Sequence, residues 1–521
     1  MGAKKSIVLV TVDCLRADHV GFMGYDRPTT PFLDSLANES FVLPTAIVAG
    51  APTYYSLPAI LASRYPLALG RDVLGLAPDE STLASTLKQA GYATAAFSAA
   101  NPYISSRFGY GRGFDTFRDF LQPEDELSPL SDGGNDDRNH DGSANAPGGG
   151  GWAGRLNRRL QKAGAALGPW GAIYGEVYFE YCQRVTPPAD SLDQLRRFPA
   201  ADSIVDEACA WLSSVGNSPF FLWLHLMDPH APYYPTEAAL ALMGHAPVTP
   251  YRARYLNSYW NRSDLGARRL ARHRDEIVAL YDAGVRWADA QMGRLVETLR
   301  RQNLWSDTVF AFTADHGEEF LEHEGRFHPP SKLMEELLHV PLLLRVPGSA
   351  KQPVKKSPFS LVHLAPTLLD IAELPVPPGF QGRSYWPQLR KEEDFDGVAI
   401  SECIAGCTNP FRRENRSGPR MLSVRESRFK LVLRFDRAAE DLYDLESDPD
   451  EQMPVTPDAE KAMRRRLLEI ARRHLQRSIE QGDWRARLQA RLRELQLEWK
   501  KPAGTSASVS GSKPSPVASW L

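Results

Sequence analysis

The chain has 521 residues, of which 43% are hydrophobic and 24% charged, and its net charge is −3. That length predicts about two to four domains, fewer if one large α/β domain absorbs the excess, and the composition is that of a soluble globular protein. The charge balance argues against nucleic acid as the main partner. Five scattered cysteines favour a reducing compartment, and no apolar run is long enough to predict a membrane span.

The chain opens MGAKKS and passes directly into IVLVTVD. This apolar run is too short for a signal peptide, so a cytoplasmic protein is expected; Met-Gly-x-x-x-Ser also fits the short myristoylation pattern. Residues 7–12 are continuously apolar and β-branched, which predicts a strand buried on both faces of a parallel sheet. Asp13 stands at its C-terminal end, where open α/β sheets place ligands. Pro31 opens a helix with Thr30 as N-cap. Residues 56–63 read as a short helix opened by Pro58, which sets Thr53 just ahead of a helix N-terminus.

Residues 81–91 read as a helix and 93–97 as a second buried strand, with Asn101 just beyond it on the ligand side. Residues 122–151 are dense in Gly, Asp and Asn and nearly free of apolar side chains, so a mobile loop is expected. Its aspartates lack the EF-hand spacing. Residues 152–185 are aromatic-rich and read as helical, forming a lid. A helix at 201–214, the strand 220–226 and the turn MDPHAPYYP follow.

Residues 274–301 form a long amphipathic helix with Ile277, Leu280, Gly284, Ala288, Met292, Leu295 and Leu299 on one face. Strands at 308–313 and 340–346 and a helix at 360–371 complete the alternation. The predicted fold is α/β, a large mainly parallel sheet flanked by helices, followed by a smaller C-terminal α+β subdomain. That subdomain begins near 391, with short strands at 398–401, 421–424, 429–434 and 441–445 and an Arg-rich helix over 459–488. Its arginines read as a solvated face. The domains expected are 1–390, 391–499 and a disordered tail over 500–521.

Three features carry chemistry: Asp13, the Thr53 hydroxyl within AGAPTYYSLPAILASRYP, and Asp315-His316 within TADHGEE. A Thr hydroxyl is a poor nucleophile at neutral pH, and a divalent cation is one of the few ways to activate it. Carboxylates with one imidazole suit Mn²⁺, Zn²⁺, Mg²⁺ or Ca²⁺ alike, so one divalent metal ion is expected. The helix N-terminus supplies N–H groups for an oxyanion.

VTVDCLRADHVGFMGYDRPTTPFLDSLA, FFLWLHLMDPHAPY, FTADHGEEFLEH, ELLHVPLLLRVPG and DLYDLESDPDE, in this order, resemble the sulfatases of the alkaline phosphatase superfamily over roughly residues 6–455. The resemblance implies Asp13, Asp315 and His316 as metal ligands, with Thr53 touching the metal. It implies His230 at the leaving group, His225 as a second catalytic candidate and Lys332 near the anion-binding lysine, although its spacing to Glu335-Glu336 differs. Asn101, Ser56 and His328 are the expected substrate contacts.

The chain departs from the family where sulfatases carry Cys-x-Pro-Ser-Arg: Thr53 stands at the Cys position, Ser56 at the Ser position and Leu57 at the Arg position. Cys14 stands where the second Asp of the metal pair is usual. Thr-Tyr-Tyr-Ser-Leu-Pro is similar to the nucleophile segment of phosphoethanolamine transferases. The expectation is therefore phosphate mono- or diester hydrolysis through a covalent Thr53 intermediate. The alternatives are sulfuric ester hydrolysis without formylglycine, phospho-alcohol transfer to a glycan or lipid, and an inactive glycan-binding protein. The expected partner is a small-molecule, glycan or lipid ester.

Overall fold

The computed structural model describes residues 4–67, 74–121, 169–216, 218–349, 357–391, 393, 395, 397–456 and 458–480. The expected loop at 122–151, the first part of the 152–185 segment, residues 481–488 of the Arg-rich helix and the tail after 500 lie outside them. The chain forms two compact units: Met1–Pro129, Phe198–Pro229 and Ala288–Leu521 in one, Leu130–Arg197 and His230–Trp287 in the other.

The first unit is built on seven strands: β1 (Ser6–Val12), β2 (Phe41–Val42), β3 (Ala93–Ser98), β4 (Thr116–Arg118), β5 (Phe220–Leu226), β6 (Thr308–Ala314) and β7 (Leu342–Arg345). Their order across the sheet is β2-β7-β6-β1-β5-β3-β4. β1 pairs in parallel with β5 and β6, and β3 pairs in parallel with β5 and β4. The apolar runs of β1, β5 and β6 are buried along their whole length, as strands covered on both faces must be.

The sheet is mixed at one edge. The run expected as one strand over 340–346 is interrupted at Pro341, and Leu342–Arg345 runs antiparallel to β6 and to β2. Proline has no N–H for a ladder, so pairing resumes only beyond it.

A second, antiparallel sheet follows in the same unit, from β8 (Val398–Ile404), β9 (Arg420–Glu426), β10 (Phe429–Arg434) and β11 (Ala439–Asp444). The helix Lys461–Glu480 packs on it, with Leu467 and Ala471 joining Leu422, Val424, Leu431, Leu433 and Leu442 in one apolar cluster. The apolar face of this arginine-rich helix is what the alternation of leucine with arginine encodes. In the second unit, Phe179 of the helix Pro169–Val185 packs edge-on against Tyr255 and Tyr259, with ring centroids 5.2 and 5.7 Å apart.

The C-terminal sheet is tied to the main body through Glu402 on β8, which is fully buried. Its carboxylate accepts Leu67 N–H at 2.9 Å and lies 3.3 Å from His474 Nε2 and 4.0 Å from Arg420. Burial alone would push this carboxyl up, but Arg420 and His474 outweigh it and hold the group down at about 2.

Two outcomes follow from this packing. Leu467→Ala is expected to lower the unfolding free energy by about 2–5 kcal/mol, measured by denaturant titration, because it opens a cavity in a closed apolar cluster. The stability contributed by Glu402 is fully present above its ordinary value of 4.5 and is lost as pH falls towards about 2. Melting temperatures between pH 5 and pH 2 should therefore fall less steeply in Glu402→Gln than in the parent.

Candidate active site

The strand register brings the first two site residues together. Val12 of β1 is paired with Ala314 of β6, so Asp13 and Asp315, each one residue further, leave the sheet side by side. Both are fully buried. His316 follows, and its Nδ1 lies 2.8 Å from Gly317 O. A carbonyl oxygen only accepts, so Nδ1 carries the proton and Nε2 is left as a lone-pair donor. Nε2 lies 3.6 Å from both Asp13 Oδ1 and Asp315 Oδ2. Gly317 is required by the close passage of the chain: a Cβ there would sit 2.0 Å from Glu336 O.

Thr53 is the first residue of the helix Thr53–Ala62, three residues earlier than the proline suggested; Pro58 stands inside the second turn. The N-cap residue is Pro52, whose side chain makes no capping hydrogen bond. The Thr53 hydroxyl is 3.2 Å from His316 Nε2 and 3.4 Å from Asp13 Oδ2. The Ser56 hydroxyl turns back onto Thr53 O at 3.2 Å, inside its own helix.

Asp13 is held by groups from neighbouring strands. Asn101 Nδ2 donates to its Oδ2 at 2.8 Å, while Asn101 Oδ1 accepts Tyr103 N–H, which fixes the amide's orientation. His225 is paired in register with Thr11, and its Nε2 lies 3.2 Å from Asp13 Oδ2. The Thr11 hydroxyl meets His225 Nδ1 at 2.9 Å and accepts the Trp223 indole N–H. Both ring nitrogens of His225 are thus engaged in positioning Asp13. Asn101 is engaged in the same way, a role different from the expected substrate contact.

Cys14 Sγ lies 3.1 Å from Asp13 Oδ1 and 3.3 Å from His328 Nδ1. His328 Nδ1 is 2.8 Å from Glu318 Oε2, a fully buried carboxylate outside the set of residues expected at the site. The available signal was an acid two residues beyond Asp315-His316. Burial pushes the Cys14 thiol well up, and Glu318, Asp13 and Asp315 add to it. Burial opposes protonation of His328, yet Glu318 and the two aspartates raise it above its ordinary value.

Lys332 Nζ lies 2.6 Å from Glu319 Oε1 and 2.8 Å from His323 O, so it is spent on a local ion pair beside β-hairpin residues 319–327. His230 belongs to the second unit, where its Nδ1–H donates to Ala231 O.

The residues present fit a divalent cation. Asp315 is raised from its ordinary carboxyl value by burial and by the facing Asp13, and its Oδ2 accepts no hydrogen bond. A buried carboxylate oxygen without a partner is unfavourable by several kcal/mol or neutralises itself, on the order of the usual desolvation penalty. His316 Nε2 stands 3.6 Å from Asp13 Oδ1 and from Asp315 Oδ2, with the Thr53 hydroxyl 3.2 Å from the same nitrogen.

Residues 5–374 match the Sulfatase family, and residues 324–478 match the family described as N-sulphoglucosamine sulphohydrolase, C-terminal. Arylsulfatase K of Gallus gallus is 30% identical over 237 residues, which span 45% of this chain and 42% of that relative. The chain thus spans less than half of this curated relative. The endo-4-O-sulfatase of Bacteroides thetaiotaomicron is 24% identical over 459 residues, 82% of this chain and 79% of the relative. Two solved structures share the fold. The phosphonate monoester hydrolase of Agrobacterium radiobacter superposes with a TM-score of 0.60 at 18% identity, over 92% of this chain and 96% of that one. A protein solved with its substrate D-glucosamine-2-N,6-O-disulfate gives 0.62 at 19% identity, over 92% and 99%. With its main sheet, its Asp13 and Asp315-His316 strand ends and a family match over most of its length, the chain belongs to the sulfatase family of the alkaline phosphatase superfamily.

Proposed function

We propose that the protein is a metal-dependent ester hydrolase that cleaves a phosphate ester through Thr53. The observation that carries this reading is the Thr53 hydroxyl at a helix start, 3.2 Å from His316 Nε2 and 3.4 Å from Asp13 Oδ2. Asp13 Oδ2, to which the Thr53 hydroxyl donates at 3.4 Å, takes the Thr53 proton as Oγ attacks phosphorus, while His316 Nε2, its other nitrogen committed to Gly317, keeps its lone pair for the cation. The positive end of the helix macrodipole, at which Thr53 stands, favours the negative charge that develops on the oxyanion. Asp13, Asp315 and His316 would hold the cation, which when bound supplies Lewis-acid stabilisation of the negative charge. His230 keeps its proposed role at the leaving oxygen on sequence grounds alone. Water then cleaves the phospho-Thr53 ester.

Sulfuric ester hydrolysis is the second reading, and the relatives' names support it better than they support the first: arylsulfatase K, an endo-4-O-sulfatase and a protein solved with a disulfated glucosamine. The chemistry of Thr53 supports phosphorus. A threonine cannot form the aldehyde hydrate from which sulfate is expelled by re-forming a carbonyl, so its ester must be cleaved by water at the central atom.

Purified protein should cleave nitrophenyl phosphate mono- or diesters in a chelator-sensitive way, and Thr53→Ala should lower the rate by about 10³-fold or more. Full activity in that variant would refute the nucleophile. Faster cleavage of nitrophenyl sulfate than of either phosphate would move the assignment to the second reading. Asp315→Asn should abolish turnover and raise the melting temperature of metal-stripped protein, because it removes a buried carboxylate facing another. A lower melting temperature would contradict that account.

A further inference from the structure

We infer that Cys14 supplies a thiolate donor to the same cation, so that the centre selects a borderline metal of the Zn²⁺ or Co²⁺ kind over Mg²⁺ or Ca²⁺. This rests on the reading of Asp13, Asp315 and His316 as the metal-holding group.

Cys14 is fully buried, yet its surroundings are not those of a small core hydrophobe. Its sulfur lies 3.1 Å from Asp13 Oδ1 and 3.3 Å from His328 Nδ1. Asp13, Cys14 and His316 each present a donor atom within 4.8 Å of the others, and Asp13, His225 and Asp315 do the same. The independent sign of a missing ligand is Asp315 Oδ2, buried beside His316 and accepting no hydrogen bond. The backbone of Cys14 adopts φ 61°, a conformation uncommon for a residue with a Cβ, at the point where the chain leaves β1.

Donor chemistry sets the selectivity. Ca²⁺ takes six to eight oxygens and Mg²⁺ an octahedron of oxygens, whereas a set of two carboxylates, one imidazole and one sulfur suits Zn²⁺ and Co²⁺. On binding, the sulfur–metal bond forms as the S–H bond breaks, and one proton passes to solvent for each cation bound. His328 Nδ1, 3.3 Å from the sulfur and 2.8 Å from Glu318, stands as an outer-sphere partner that orients the thiolate.

The test uses the full chain, metal-stripped and titrated with Co²⁺, Zn²⁺, Mg²⁺ and Ca²⁺. The Co²⁺ protein should show visible ligand-field bands together with a near-ultraviolet sulfur-to-cobalt charge-transfer band. Cys14→Ser should lose the charge-transfer band, keep visible bands and weaken Zn²⁺ binding by at least about tenfold, the scale at which even outer-sphere partners count. Cys14→Asp, whose circular dichroism checks the fold, should lose the same band and narrow the preference for Zn²⁺ over Mg²⁺.

Visible bands without the charge-transfer band in the parent, or a charge-transfer band that survives in Cys14→Ser, would overturn the role of Cys14 and leave the metal centre standing. Absence of all Co²⁺ bands, or visible bands unchanged in Asp315→Ala, would overturn the metal centre and this inference with it.

Discussion

The parallel pairing of β1 with β6 carries Asp13 and Asp315 out of the sheet side by side, with neither carboxylate in contact with water. Two charges in that position repel one another and lose their hydration, and only opposite charge or hydrogen-bond donors can offset this. For Asp13 the donors are Asn101 Nδ2, His225 Nε2 and the Cys14 thiol, from three different segments. Asp315 Oδ2 lies 3.6 Å from His316 Nε2 and accepts no hydrogen bond from the described residues. The residual negative charge is the strongest physical reason to place a cation between them.

The helix that begins at Thr53 is held by the C-terminal sheet and the loop after its strand β8. Tyr54 OH donates to Cys407 O, Ile404 N–H donates to Tyr55 OH at 3.1 Å, and the Ser401 hydroxyl donates to Val48 O at 2.5 Å. Glu402 N–H donates to Ala49 O just ahead of Thr53. The second sheet is therefore part of the site's scaffold. Its own attachment rests on buried charge pairs: Glu335 is held at about 2 by Arg425 and Lys430 against the effect of burial, and Lys430 Nζ also meets Glu451 at 2.8 Å. Such pairs resist the loss of either partner more than they add net stability.

The family match and the proposed role of Thr53 point in different directions, and the physical difference between them is small in size and large in consequence. Threonine in place of the family's cysteine puts a hydroxyl at the helix start, where the macrodipole favours a negatively charged oxygen. What changes is how the covalent ester is resolved. That step, rather than the binding of an anionic ester, is where the two readings of the substrate part.

The linear chain was enough to specify the buried strands, because a continuous β-branched run such as residues 7–12 has no other stable home, and to mark their acidic ends as ligand-side groups. The long amphipathic helix and the antiparallel C-terminal strands were legible for the same reason: their periodicity is local. The start of the nucleophile helix was misplaced because Pro58 is an ordinary first-turn signal, and only packing keeps it in a second turn. The contacts of Asn101, His225, Lys332 and Glu318 came from the tertiary structure alone. Each depends on which side chain faces it from a strand or loop distant in sequence, and no periodicity encodes that register.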